Sequence, residues 1–145
     1  NHGIGGTIVT GINRNGKWVF LLCVILCYQW YDLMIGSMAE LLQLQSIKLG
    51  DNSFCKSRLF RVYSLPSLQS IELGSNSFGL SDSFILQSLP SLQSIVLGKT
   101  AFNNSQSFVM NNLTSFVSFD LGGNRFASVT SFAMIGLVLF DFIET

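Results

Sequence analysis

The chain has 145 residues, enough for one domain or for about six turns of a solenoid with a short period. Eight acidic and eight basic residues give a formal net charge of zero, which excludes the basic footprint of a nucleic-acid binder or of a protein drawn to anionic membrane. Charged residues are 11% of the chain, about half the usual share, so solubility must rest on Ser, Asn and Gln.

Residues 1–16 carry five glycines and no helical period, so they read as a loop or a weak strand. Residues 17–40 form a second segment around an unbroken apolar run, WVFLLCVILCY, at 18–28. Three readings of it stay open. It is a degenerate repeat, in which counting back 24 places from Leu44, Ile47, Leu49 and Phe54 gives Phe20, Cys23, Ile25 and Trp30. It is a secretory signal, with Arg14 and Lys17 upstream and a small-x-small site at Ser37-Met38-Ala39, although it starts late and lies far from that site. Or it is a membrane anchor over 18–35, at the cost of placing Asp32 in hydrocarbon. Cys23, Cys27 and Cys55 make an odd count with no C-x-x-C pair, so neither a zinc site nor a paired-cysteine cap is expected. They read as ordinary buried or reduced thiols.

From residue 41 to 145 a strict 24-residue repeat fills the chain. Residues 44–54 (LQSIKLGDNSF), 68–78 (LQSIELGSNSF), 92–102 (LQSIVLGKTAF) and 116–126 (FVSFDLGGNRF) align without insertion or deletion. Such a period means units that bury their apolar faces against one another. In each first half, Ile47 and Leu49 and their counterparts alternate with polar or small residues, the pattern of a short strand with one buried face. The second halves alternate too, at Phe60 and Val62, Phe84 and Leu86, Phe108 and Met110, Phe132 and Met134. A further apolar column follows at Leu65, Leu89, Leu113 and Leu137. These back segments are expected to be extended or irregular, with at most a helical turn before each Leu-Pro-Ser or Leu-Thr-Ser. Pro66 and Pro90 are expected to open the turn into the next strand. The chain begins at Asn1 and stops within a fifth unit, as a fragment would. In that unit Leu137, Phe140 and Ile143 count into the columns of Leu113, Phe116 and Phe119. No cap sequence is evident at either end, and the apolar C-terminal edge points to self-association.

The segments L-x-x-I-x-L-x-x-N-x-F resemble the leucine-rich repeat consensus L-x-x-L-x-L-x-x-N-x-L, with Phe54, Phe78, Phe102 and Phe126 in place of the last leucine. The resemblance covers about 105 residues. It implies a mainly β repeat solenoid with a parallel concave sheet and an irregular or short-strand convex side, a shape used for recognition. Thr100 departs from the pattern, standing where Asn52, Asn76 and Asn124 have an amide. Those asparagines are expected to point inward and satisfy backbone groups where the strand turns away. The third repeat, lacking one such bond, should be weaker by about 1 kcal/mol.

Two uniform columns flank the outward strand positions: Ser46, Ser70, Ser94, Ser118 and Gly50, Gly74, Gly98, Gly122. Between them the middle column varies: Lys48, Glu72, Val96, Asp120. Asp51, Ser75, Lys99 and Gly123 vary at the strand exit. Lys48, Asp51, Glu72, Val96, Lys99 and Asp120 are therefore the candidate partner-binding residues. Catalysis has little to work with: His2 is the one histidine, and the acidic residues are scattered singly. No cofactor and no metal are expected. The GIGG of residues 3–6 is a poor phosphate loop. Sequons at Asn103 and Asn112 matter only in a secreted or cell-surface protein. The reading is a non-enzymatic module with a protein partner, no nucleic acid, and membrane only if 18–35 is an anchor. The rivals are a structural spacer of a surface array and the sensor portion of a larger receptor.

Overall fold

A computed structural model describes residues 7–12, 14–16, 18–24, 33–36, 41–54, 56–102, 104–123, 129–136 and 141–143. Twelve strands lie among them. Seven form a front sheet: β1 (Thr7–Ile12), β2 (Trp18–Val24), β4 (Ser46–Leu49), β6 (Ser70–Leu73), β8 (Ser94–Leu97), β10 (Ser118–Asp120) and β12 (Asp141–Ile143), in that order. Five form a back sheet, from β3 (Leu33–Ile35) through β5 (Leu59–Tyr63), β7 (Ser83–Gln87) and β9 (Ser107–Asn111) to β11 (Ser131–Ile135). Each turn of chain thus gives one strand to each sheet. Within the repeats every pairing is parallel and in register, Ile47 beside Ile71 beside Ile95 and Phe60 beside Phe84 beside Phe108. The molecule is a mainly β parallel solenoid of about four turns, with almost no helix among the described residues. No helix among the described residues is long and apolar enough to cross a membrane.

The alternation in the second halves is a full second sheet, the short-strand alternative of the expected convex side. Its strands bury one face because Phe60 and Val62, Phe84 and Leu86, and Phe108 and Met110 point into the same core as Ile47, Leu49 and their counterparts. A helical turn has no place there, since the residues ahead of Pro66 and Pro90 belong to β5 and β7 and their short exits. Both prolines do open the turn into the next strand. At the second, Leu92 N–H donates to Leu89 O at 3.2 Å across Pro90-Ser91. Proline fits there because its fixed φ suits the turn and its missing N–H is not needed.

Two interlocking ring stacks fill the core. Phe54, Phe78 and Phe102 stack at 5.4 and 4.9 Å, and Phe60, Phe84 and Phe108 at 5.3 and 4.3 Å. The stacks meet edge to face, Phe84 on Phe102 at 4.7 Å and 89°. The first stack is reached at a backbone cost. Phe54, Phe78 and Phe102 have φ of 50–54°, and Asn52, Asn76 and Thr100 have φ of 58–60°. These left-handed residues fold the chain from the front sheet toward the back. Between each such pair sits a fully buried small residue: Ser53, Ser77 or Ala101.

The amide ladder is on the outside, contrary to expectation. Asn52 and Asn76 are exposed, and Asn76 Nδ2 donates to Asn52 Oδ1 at 3.0 Å. Asn124 lies outside the described residues. The inward polar work falls to serines. Ser53 and Ser77 hydroxyls donate to Gly50 O at 2.7 and 3.2 Å. At the next corner Ser57 donates to Leu59 O, and Ser81 lies 3.1 Å from both Arg58 O and Ser83 O. A hydroxyl is small enough to reach a carbonyl one bend away, whereas the left-handed φ of its neighbour swings the longer amide into solvent.

Register departs from 24 at both ends. Leu21 pairs with Ile47 and Cys23 with Leu49, both 26 apart, so the alignment of Cys23 with Ile47 is corrected by two residues. Ile25 and Trp30 lie outside the described residues. In the back sheet Leu33 pairs with Phe60, 27 apart. At the other end Phe142 pairs with Phe119, 23 apart, and Ile143 with Asp120, which displaces the expected Ile143–Phe119 alignment. Leu137 and Phe140 are outside the described residues. β1 is a real strand, antiparallel to β2, joined to it by a turn that contains Gly16 at φ 76°. It lies along the outer edge of the front sheet.

Candidate functional site

The front face is built by the alternation of its strands. With Ile47 and Leu49 held inward, Lys48 must face out, and the same holds for Glu72 and Val96. Parallel register sets Lys48, Glu72, Val96 and Asp120 in one row across β4, β6, β8 and β10. The varied middle column is therefore one continuous line on a single face.

The glycine column beside it is uniform for a steric reason. A Cβ on Gly74 would lie 2.4 Å from Gly50 C, and one on Gly98 2.3 Å from Ser75 N. Successive turns come close at this corner, and backbone cannot give way as a side chain could. On Gly122 a Cβ would also meet Leu97 O, and its φ of 59° adds a second reason for glycine.

Most of the candidate charges are engaged within the molecule. Lys48 Nζ lies 3.6 Å from Glu72 Oε1. Both side chains are more than half exposed, so the pair contributes no more than about 1 kcal/mol. Asp51 Oδ1 accepts the Ser75 N–H at 2.8 Å, and Asp120 Oδ1 accepts the Gly122 N–H at 2.9 Å. Val96 is 40% exposed in the middle of the row. Lys99 is exposed at the strand exit, where its carbonyl accepts the Asn76 N–H and the Thr100 hydroxyl. Among the described residues its ammonium has no ion-pair partner. The six candidates thus share one face and its exit corner, with Val96 and Lys99 the two whose side chains are not already used.

The back sheet holds polar residues that sequence reasoning passed over. Arg61, Tyr63 and Gln87 gather on its outer face. Period-two alternation through Phe60, Val62, Phe84 and Leu86 was the signal for them, once those segments are taken as strands. Among the described residues, no three His, Cys, Asp or Glu side chains come together as metal ligands would. Compared with family models, with curated proteins and with solved structures, the chain has no match.

Proposed function

We propose that this solenoid is a non-enzymatic protein-interaction module of the leucine-rich repeat kind, binding a protein partner across the front face. One observation carries the reading. A single row, Lys48–Glu72–Val96–Asp120, changes chemistry from rung to rung between columns that stay Ser and Gly. The uniform glycine column follows from the close approach of successive turns; the varied row has no such reason. Val96 supplies desolvated contact at its centre, and Lys99 supplies a cation at its margin. Asp51 and the Lys48–Glu72 pair set the polar rim.

A photo-crosslinking residue at position 96 should capture a partner from the protein's native source, while the same residue at Val109 on the back sheet should not capture it. Lys99→Glu should weaken that capture without altering the folding transition. Capture from position 109 alone would refute the front face as the binding surface.

A second reading, a spacer in a longer repeat array, is favoured by the internal use of Lys48, Glu72, Asp51 and Asp120. A spacer would tolerate Val96→Asp and Lys99→Glu together with no change in what the full protein binds.

A further inference from the structure

Across β3, β5 and β7 the register sets Met34, Arg61 and Ile85 side by side on the outer face of the back sheet. Arg61 is the one charged side chain that the described strands of this sheet present outward. Its guanidinium carbon lies 4.3 Å from the centroid of the Tyr63 ring, in the geometry of a cation–π contact. Nε–H and Nη2–H both donate to Gln87 Oε1, at 3.3 and 3.0 Å. The Tyr63 ring is itself seated on Gly36, where a Cβ would overlap the ring carbons at 2.1–2.5 Å. Backbone, ring and amide therefore hold one guanidinium in a fixed, half-buried orientation.

That orientation leaves the charge unbalanced. Gln87 is neutral, and among the described residues no carboxylate pairs with Arg61. A guanidinium has five N–H donors, and one neutral oxygen takes two of them. The edge formed by Nη1 and the second Nη2 hydrogen remains, the two-pronged edge that matches a carboxylate. Holding an arginine this way removes part of the ordering cost that a flexible cation meets on binding.

We infer that Arg61 is a carboxylate receptor on the back sheet, accepting an Asp or Glu side chain of a protein partner in which apolar residues flank the acid. Charge complementarity selects the acid. The flanks are selected by Met34, 52% exposed on one side of Arg61, and by Ile85 on the other. A phosphate fits less well, because its near-double charge and three oxygens are ordinarily met by several cations, and the described strands of this face present one. The site is independent of the front-face row and lies on the opposite sheet.

The test uses the whole 145-residue chain, observing the Arg61 Nε–H resonance and the backbone amides of β3, β5 and β7 by NMR. The probes are acetyl-Leu-Glu-Leu-amide, its Gln counterpart and inorganic phosphate, each titrated into the millimolar range. The Glu peptide should shift these signals and the Gln peptide should not. Arg61→Gln should weaken binding about tenfold or more, as expected for loss of a charge-assisted pair. Arg61→Lys keeps the charge and loses the fork, and Gln87→Leu keeps the arginine and loses its orientation; each should weaken binding severalfold. Equal shifts from both peptides, shifts confined to the front sheet, or none at all would overturn the inference. So would saturation by phosphate below the concentration at which the Glu peptide acts. Asp32, next to β3 in sequence and outside the described residues, supplies the last arm. If Asp32→Asn moves the Arg61 Nε–H signal in the free protein and opens the site to the Glu peptide only then, the acid is the chain's own and the inference fails.

Discussion

At the scale of single residues, the core and the corners differ in how replaceable their side chains are. Phe84 is fully buried, stacked between Phe60 and Phe108 and touched edge-on by Phe102. Phe84→Ala should cost about 3–5 kcal/mol by chemical denaturation, the range for deleting a buried aromatic. Phe132 continues the same column at 52% exposure, so Phe132→Ala should cost under about 1 kcal/mol. Equal losses at the two positions would contradict the observed burial. Thr100 makes the opposite case. A β-branched residue at φ 60° is poorly placed, and its hydroxyl turns back to Lys99 O instead of extending the amide ladder. Thr100→Asn should stabilise the protein by about 1 kcal/mol, from easier left-handed geometry and one more rung of hydrogen bond; a destabilised variant would refute this. That Thr100 breaks the column was legible in the repeat alignment. That the column lies outside, with Ser53 and Ser77 doing the buried work, was not. Which of two adjacent polar residues turns inward depends on the sign of φ at the corner, and no residue pattern states it.

At the scale of strands, register is legible wherever polar residues punctuate the apolar ones. Between residues 44 and 119 the Ser and Gly columns pin each strand, and 24-residue counting places every rung correctly. In β2 nothing interrupts WVFLLCV, so a two-residue slip was invisible to counting. At β12 a one-residue slip sets Phe142 beside Phe119, where counting by 24 expected Ile143. The second sheet was visible as alternation but left open between short strand and irregular chain, because Ser, Asn and Gly at its margins suggested the latter. The glycine corner offers a direct test of how tightly strands are tied together. Gly98→Ala places a methyl against the Ser75 and Gly74 backbone, and the φ there is ordinary, so the whole effect is steric. It should cost about 1–3 kcal/mol in denaturation. Ser94→Ala, half-buried on the same strand, should be close to neutral. A neutral Gly98→Ala would mean that the turns can part at this corner.

For the whole molecule, the two sheet margins are unequal. At the start β1 lies antiparallel across the front sheet, a geometry that does not continue the repeat register. At the other margin β11 ends the back sheet with Phe132 52% and Ile135 60% exposed. Sparse charge gives that edge little protection against pairing with another chain. The 145-residue chain should therefore associate as concentration rises through the micromolar range, and Phe132→Ser with Ile135→Lys should suppress it. Light scattering checks both; a clean monomer for the unaltered chain would refute the expectation.

Every ladder bond between repeats joins residues about 24 apart, for instance Asn52 N–H to Ser75 O, Gln69 N–H to Gln45 O and Gln93 N–H to Gln69 O. These bonds run along the stacking axis, so a pull applied across the two margins loads them a rung at a time, as a zipper opens. The protein should yield to tension in equal small steps of low force, with no single large rupture. Each step should release one turn of chain, about 80 Å when drawn out. A spring made this way lengthens under load by counting repeats.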